Sequence, residues 1–441
     1  MNQVPVCLSH ASEISEPNQD IVLAQGLLVI SGFTSNDEHL SVEGIVFMQF
    51  LPQPRIVVEL EHIDNRLTDK LDIEQSLKIS IERFSFECMI VQTQTDSMRL
   101  IAIESFICQP ETQHLNKATF YIVNFPMCHG QGVQRRNNPL SFSRSRIQLR
   151  DSGWIITLDK REDYQQIQEY IKQSDGYVLT YAGLIEREDN CNFTSLELLE
   201  QLKKLYLFLS FARGAFTAPI IIEGFSKEGS PIWKDWSHRR FDRWTLTQSN
   251  WLSITQTQNQ LSELYPKWNR LMLDPLWEQE IPKVLYWYIH AGRNTQGAGT
   301  DGSLILATAA LERLSFVLLV HKEKKLSNEK FKKRLAWSLR KALGLLEIPE
   351  HLPDTLSDFC KYSNGNNWQS GPQAVIELRN EIVHPDRSGT PGPYVSFGAL
   401  QLALWYIEMM LLRLAGYEGE YSNRLKLSRW KGDVEMLPWK K

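Results

Sequence analysis

Hydrophobic and β-branched residues in the first 190 positions occur in short runs separated by turn residues, which is the spacing typical of β-strands. One helix is predicted at 161–173, where apolar residues follow a helical period. The pattern therefore predicts a sandwich-like β-rich half, either a β-sandwich or a curled antiparallel sheet. The predicted strands are 21–30, 44–50, 55–60, 85–92, 98–106, 118–124 and 154–158.

The pattern becomes helical after residue 278, with apolar residues three and four positions apart. The predicted helices are 281–291, 303–320, 328–343, 356–362 and 395–415. The tail after Tyr417 is basic, and we expect it to be weakly ordered. The fold class that follows is α+β multidomain, with an all-α helical bundle after the β-rich half. The predicted domains are 1–190 (β-rich), 191–277 (mixed α/β continuation and connecting region) and 278–441 (bundle).

The connecting region is rich in tryptophan, and arginines lie between these rings. Two interpretations are open: the rings stack on bases of a single nucleic-acid strand, or they pack between domains. The tryptophans are Trp233, Trp236, Trp244, Trp251, Trp268 and Trp277.

Composition is ordinary for a soluble globular protein of 441 residues, with 42% hydrophobic and 23% charged positions. The first 20 residues lack the order of a signal peptide, and no uncharged apolar run reaches 18 residues. The six cysteines are scattered without paired spacing, which favours neither a disulfide framework nor a zinc site. We therefore expect a cytoplasmic protein with no membrane span.

Charge is uneven along the chain. Residues 278–441 contain 22 basic against 18 acidic side chains, whereas the preceding part contains 26 against 34. Much of the basic excess lies between positions 322 and 341, which suggests either an RNA-binding surface or a solvated helix face. The candidate RNA-binding residues are Lys332, Lys333, Arg334, Arg340 and Lys341.

The stretch 375–385 carries the candidate chemistry. It is predicted as a short helix that follows Gly371 and Pro372 and ends at Pro385, because proline cannot continue a helix. Within it, Arg379, Asn380 and His384 (the motif) offer a donor fork for phosphate oxygens, an amide and a proton-transfer group. The alternative is an ordinary solvated helix face with a structural ion pair.

Glu312 is the candidate partner of Arg379. It lies within the nearly apolar helix 303–320, where a carboxylate needs a cation. A pair with Arg379 would orient the motif; a pair with Arg313, or a partly exposed side chain, is the alternative.

The sequence Arg379-Asn380-x3-His384, late in a helical segment, resembles the signature of the HEPN ribonucleases. Residues 180–187, 208–214, 220–224 and 229–233 occur in an order similar to the N-terminal domain of ApeA-like proteins. These are bacterial anti-phage factors with a C-terminal HEPN domain.

The resemblance implies a HEPN-type bundle that forms a homodimer, and metal-independent RNA cleavage by the ribose 2′-hydroxyl, without a cofactor. It implies His384 as acid or base, Arg379 as stabiliser of phosphate charge and Asn380 as the group that positions the ribose or the histidine. The β-rich half would sense a phage-derived trigger. The alternatives are a catalytically inert HEPN-fold scaffold and a nucleotide sensor whose basic helix binds a second messenger.

Overall fold

The structure is a computed structural model of the whole chain. It describes residues 4–8, 16–32, 39–63, 73–94, 96–103, 107–109, 112–136, 138, 140–244, 250–293, 299–384, 386, 391–426, 430 and 432–440.

The first part of the β-rich half is a closed barrel of six antiparallel strands in the order β1-β2-β3-β6-β5-β4. Pairing of β1 with β4 closes it. Buried and exposed residues alternate along the strands, so one face of each strand fills the interior. Of the two predicted forms, this closed barrel agrees with the curled antiparallel sheet and not with two packed sheets. The strands are β1 Ile21–Ser31, β2 Leu40–Gln49, β3 Arg55–Glu61, β4 Ser76–Ile81, β5 Phe84–Thr93 and β6 Ser97–Ala102.

A seven-stranded sheet follows, in the order β15-β14-β8-β12-β11-β10-β9. It contains strands on both sides of residue 190, so the predicted boundary at that position lies within one sheet. A short pair, β7 His114–Leu115 with β13 Phe193–Thr194, lies beside it. The sheet strands are β8 Lys117–Val123, β9 Gln131–Gln134, β10 Phe142–Asp151, β11 Trp154–Lys160, β12 Leu179–Arg187, β14 Pro219–Phe225 and β15 Pro231–Asp235.

Aromatic rings join the barrel to the sheet. Phe84 of β5 stacks on Trp236 with ring centroids 3.7 Å apart, and Phe50 stacks on Tyr177 at 5.8 Å. All six tryptophans between residues 233 and 277 are buried. The packing interpretation of the tryptophan-rich region is therefore confirmed.

Three helices pack with the sheet: α1 Tyr164–Ser174, α2 Ser195–Arg213 and α3 Thr257–Met272. Thr194 and Glu197 form a capping box at the start of α2, which satisfies backbone donors at that helix end. Helix α3 contacts β10, and Asn269 donates a hydrogen bond to Asp151 there.

The C-terminal region is a helical bundle, so the α+β multidomain organisation is confirmed. Helix α5 continues directly into a π-helical segment, Val317–Lys322. The predicted helix 328–343 is divided at Arg334, whose φ of −143° interrupts the helix. The bundle helices are α4 Pro275–Gly292, α5 Gly299–Phe316, α6 Asn328–Lys333, α7 Leu335–Leu345, α8 Ser357–Gly365, α9 Gly371–Val383 and α10 Pro393–Ala415.

The described part of the tail after Tyr417 packs on the bundle, so the expectation of weak order is wrong for these residues. Tyr421 and Leu437 are buried, and the strands β16 Glu420–Tyr421 and β17 Glu435–Met436 pair. Arg424 forms a buried ion pair with Glu408 of α10, at 2.6 Å between Nη2 and Oε1. Apolar contacts and this pair hold the tail in place.

Two helical stretches, Gly299–Lys322 and Pro393–Ala415, are long and apolar enough to cross a membrane by length and composition alone. The apolar window of the second is 94% buried inside the protein, and that of the first 61%. Their apolar side chains are used in the interior of the bundle, as in the core helices of a globular protein.

Candidate functional site

Helix α9 presents the motif. Ser370 caps its N-terminus by accepting a hydrogen bond from the Gln373 amide, and Pro372 occupies the first turn, where its missing N–H costs nothing. Ala374, Val375 and Leu378 are fully buried against helices α5, α7 and α10. The opposite side of the helix and its C-terminal end are left accessible.

The three motif residues lie together at that C-terminal end. Nη1 of Arg379 donates a hydrogen bond to Oδ1 of Asn380 at 3.1 Å, and both side chains are half-buried. The His384 amide donates to the Asn380 carbonyl at 2.9 Å, which ends the helix, and the imidazole is exposed. In the described part of the chain the Arg379 guanidinium makes this one hydrogen bond, so its other donors can meet an anion.

A neighbouring helix fixes the same turn. The hydroxyl of Tyr362 in α8 donates to Oε2 of Glu381 at 2.9 Å. Burial, together with that carboxylate, raises the pKa of Tyr362 to about 12. The sequence contains no signal for this contact, because Tyr362 and Glu381 lie on different helices and neither belongs to a recognisable pattern.

Glu312 does not join the motif. Its side chain is exposed, and no ion pair joins it to Arg379 among the described residues. The predicted pair with Arg379 is wrong and the alternative of an exposed side chain is confirmed, because α5 has an accessible stripe of residues spaced three and four apart, to which Glu312 belongs. Arg313 does not pair with it either, since its guanidinium pairs with Glu280 of α4.

The five candidate RNA-binding residues divide into two groups. Lys332, Lys333 and Arg334 are exposed at the corner between α6 and α7. Arg340, by contrast, makes a two-pronged hydrogen bond to Glu350 at 2.5 and 2.6 Å, and Lys341 lies over the Trp337 ring at 5.1 Å. Within the described residues, only Lys332, Lys333 and Arg334 have charged groups that are not already paired with another side chain.

Helices α7 and α9 pack against each other, so the basic corner and the motif belong to neighbouring elements. An exposed imidazole, a guanidinium with open donors and an amide at one helix end can transfer a proton and hold a phosphate oxygen. Within the described residues no group of three or more His, Cys, Asp or Glu side chains is arranged to hold a metal ion, and the six cysteines are free.

Two family models match this chain. The YopA central domain matches residues 110–247, which contain the seven-stranded sheet, and the YopA C-terminal domain matches residues 274–436, which contain the bundle from α4 onward. A relative from Bacillus subtilis (strain 168), described as SPbeta prophage-derived uncharacterized protein YopA, is 30% identical over 419 residues, covering 92% of each chain. The chain belongs to the YopA family.

The motif and the basic corner both lie within the match to the YopA C-terminal domain, and the barrel precedes the match to the YopA central domain. No solved structure gives a significant match to the chain.

Proposed function

We propose that this YopA-family chain is a metal-independent endoribonuclease of an anti-phage abortive-infection system. The observation that carries the proposal is the grouping of Arg379, Asn380 and His384 at one accessible helix end. The resemblance of this motif to the HEPN signature supplies the reaction class. The 30% identical relative is described as prophage-derived, and we take this as support for a role connected with phages.

In the proposed reaction the ribose 2′-oxygen attacks the adjacent phosphorus while the bond from phosphorus to the 5′-oxygen breaks. One imidazole removes the 2′-hydroxyl proton, and a second gives a proton to the departing 5′-oxygen. Arg379 binds the phosphate oxygens as negative charge develops on them, and Asn380 orients the arginine through the 3.1 Å hydrogen bond. The product is a 2′,3′-cyclic phosphate.

A homodimer is part of the proposal, because the motif contains one histidine and the reaction uses two proton-transfer groups. Two copies of helix α9 would face one cleft. Lys332, Lys333 and Arg334 would hold the RNA backbone outside it, and the barrel and sheet would bind a phage-derived trigger. The protein would act in the cytoplasm.

The test compares His384→Ala with His351→Ala in an RNA-cleavage assay that contains EDTA. Both histidines are exposed in the helical region, so the second variant controls for loss of a surface imidazole. We expect His384→Ala to lower the cleavage rate at least about 100-fold, as removal of a general acid or base does. His351→Ala should cleave like the wild type.

Equal rates for His384→Ala and the wild type would refute the nuclease. If neither protein cleaves RNA in cells infected by phage, the inert HEPN-fold scaffold replaces it.

A further inference from the structure

Four arginines meet where the barrel, the sheet and the helical bundle join. Arg213 ends α2, Arg240 and Arg243 lie in the segment after β15, and Arg293 caps the C-terminal end of α4. Arg213 and Arg293 each donate a hydrogen bond to the backbone carbonyl of Arg243, at 3.3 and 3.5 Å. Two guanidinium groups therefore converge on one oxygen atom.

Arg213 is the deepest of the four, with 5% of its surface exposed. Its hydrogen bonds go to neutral oxygens: the carbonyls of Phe216 and Arg243 and the hydroxyl of Thr217. No carboxylate pairs with it among the described residues. Burial lowers the pKa of Arg213 to about 10, so the group still carries its charge at neutral pH.

Two carboxylates face the four arginines. Asp242 lies 3.3 Å from Nη1 of Arg293 and accepts a hydrogen bond from the Phe216 amide. Asp175 lies 4.0 Å from Nη1 of Arg243. The described groups at this junction therefore carry an excess of two positive charges, which is costly where water is partly excluded.

Aromatic rings line the same region. The guanidinium of Arg240 lies 4.0 Å from the centroid of Phe216, and its Nη2 donates a hydrogen bond to Nε2 of His290 at 3.1 Å. Burial, with the charge of Arg240, lowers the pKa of His290, so its ring is neutral at pH 7 and adds no positive charge to that of the arginines.

An open depression gives a ligand access to Arg243, one of the four arginines. It is lined by Leu51 and Pro52 from the barrel, by Asp175 and Gly176 after α1, and by Arg243. Arg243 lies between surface and interior: its side chain is 40% exposed and donates through Nη2 to the Pro52 carbonyl at 2.7 Å, while its own carbonyl accepts from Arg213 and Arg293.

We propose that this junction binds a small ligand carrying a phosphate or pyrophosphate group, with Arg243 as its direct contact and Arg213, Arg240 and Arg293 supplying the favourable field. Arginine suits this ligand because its planar fork matches phosphate oxygens. A bound dianion would balance the two excess charges. It would also tie a barrel loop, the sheet and the end of α4 together, so the site is placed to communicate between the two halves of the chain.

The experiment is isothermal titration of the full chain with inorganic pyrophosphate and, in parallel, with ADP. We expect saturable one-to-one binding with at least one of them. Arg243→Gln should raise Kd about tenfold or more, which is the effect of losing one charge-assisted hydrogen bond. Arg150→Gln is the control, since Arg150 is an exposed arginine paired with Glu188 on another part of the sheet.

A second variant is expected to bind the ligand more tightly, and a misfolded protein would not do so. Asp175→Asn removes the negative charge beside Arg243 but keeps the oxygen that accepts from the Gly176 amide, so Kd should fall several-fold. If ADP binds more tightly than pyrophosphate, the ligand of this site is a nucleotide. If pyrophosphate binds more tightly, the ligand is a free phosphate compound.

Three results would overturn the site: no saturable binding of either probe, an unchanged Kd in Arg243→Gln, or an equal loss in Arg150→Gln. A fourth would replace the small ligand by RNA, namely competition by a ten-nucleotide single strand that binds more tightly than either probe. The titration does not depend on RNA cleavage, so its failure and that of the nuclease are distinguishable.

Discussion

The hydroxyl of Tyr362 donates a hydrogen bond to the carboxylate of Glu381 at 2.9 Å, joining α8 to the turn of α9 that carries the motif. Tyr362→Phe removes this bond while keeping the ring. We expect a loss of about 1 kcal/mol in the free energy of unfolding, since the acceptor is charged but partly solvated. Urea unfolding at pH 7 measures it. Tyr394→Phe, at a ring that is 75% exposed, should change stability by less than about 0.5 kcal/mol; equal effects would contradict the prediction.

Gly371 is required by close packing at the start of α9. A Cβ there would collide with the hydroxyl of Tyr406 and with Leu402, both on α10. Gly371→Ala should therefore cost about 1–3 kcal/mol, the range for overpacking. Gly344→Ala is the matched control in α7, where a Cβ meets no atom within 4 Å and alanine should stabilise by about 0.5–1 kcal/mol. If this packing is correct, thermal unfolding will show a lower melting temperature than the wild type for Gly371→Ala and a higher one for Gly344→Ala.

Glu280 makes stability depend on acid pH. The hydrogen bond from Arg313 is the main cause that lowers the pKa of the buried Glu280 carboxyl from 4.5 to about 2, with help from Lys283. A carboxylate with a depressed folded-state pKa stabilises the fold above its unfolded pKa, and the contribution disappears as pH falls from about 4.5 to about 2.

Glu280→Gln should consequently cost about 2 kcal/mol at pH 7, allowing for the solvent around Arg313, and roughly half as much at pH 3.5. Urea titrations at the two pH values measure the difference. Glu312→Gln, at an exposed position of α5, should cost less than about 0.5 kcal/mol at pH 7. A cost for Glu280→Gln that does not shrink in acid would show that the carboxylate is not held by its cations.

The basic corner predicts the salt dependence of RNA binding. Replacing Lys332, Lys333 and Arg334 together by glutamine should weaken single-stranded RNA binding and reduce the slope of log K against log salt. The expected reduction is about 0.7 for each RNA phosphate that the variant no longer neutralises. Arg340→Gln should leave the slope unchanged, because Glu350 already occupies that guanidinium. Fluorescence anisotropy between about 50 and 200 mM salt measures this slope. A slope that changes only in Arg340→Gln would show that RNA binds at Arg340 and not at the basic corner.

The predicted helices and strands agree with the structure where local pattern and packing favour the same element. The strand at Trp154–Lys160 and the helix at Pro393–Ala415 have strongly apolar runs bounded by turn residues or proline. The pattern does not predict the helix Thr257–Met272, because Pro266 lies inside it and many of its residues are polar. It does not predict β10 for a similar reason, since residues 143–146 form an unbroken polar run within Phe142–Asp151.

The arrangement of these elements could not be predicted from local pattern. Closure of the barrel depends on β1 pairing with β4, and neither strand carries a signal for the other. For the site, the sequence brings Arg379, Asn380 and His384 together because they share one helix. It could not show which side of α5 faces solvent, so the predicted placement of Glu312 is wrong.

The buried pair of Glu408 and Arg424 has a consequence for biosynthesis. Glu408 lies in the interior with no exposed surface, and its cation comes from a position sixteen residues later in the chain. Until residue 424 leaves the ribosome, helix α10 carries an unmatched charge that resists enclosure. A nascent chain that stops short of this arginine would keep its C-terminal unit loose, so any activity housed there would arise only in molecules translated past that point.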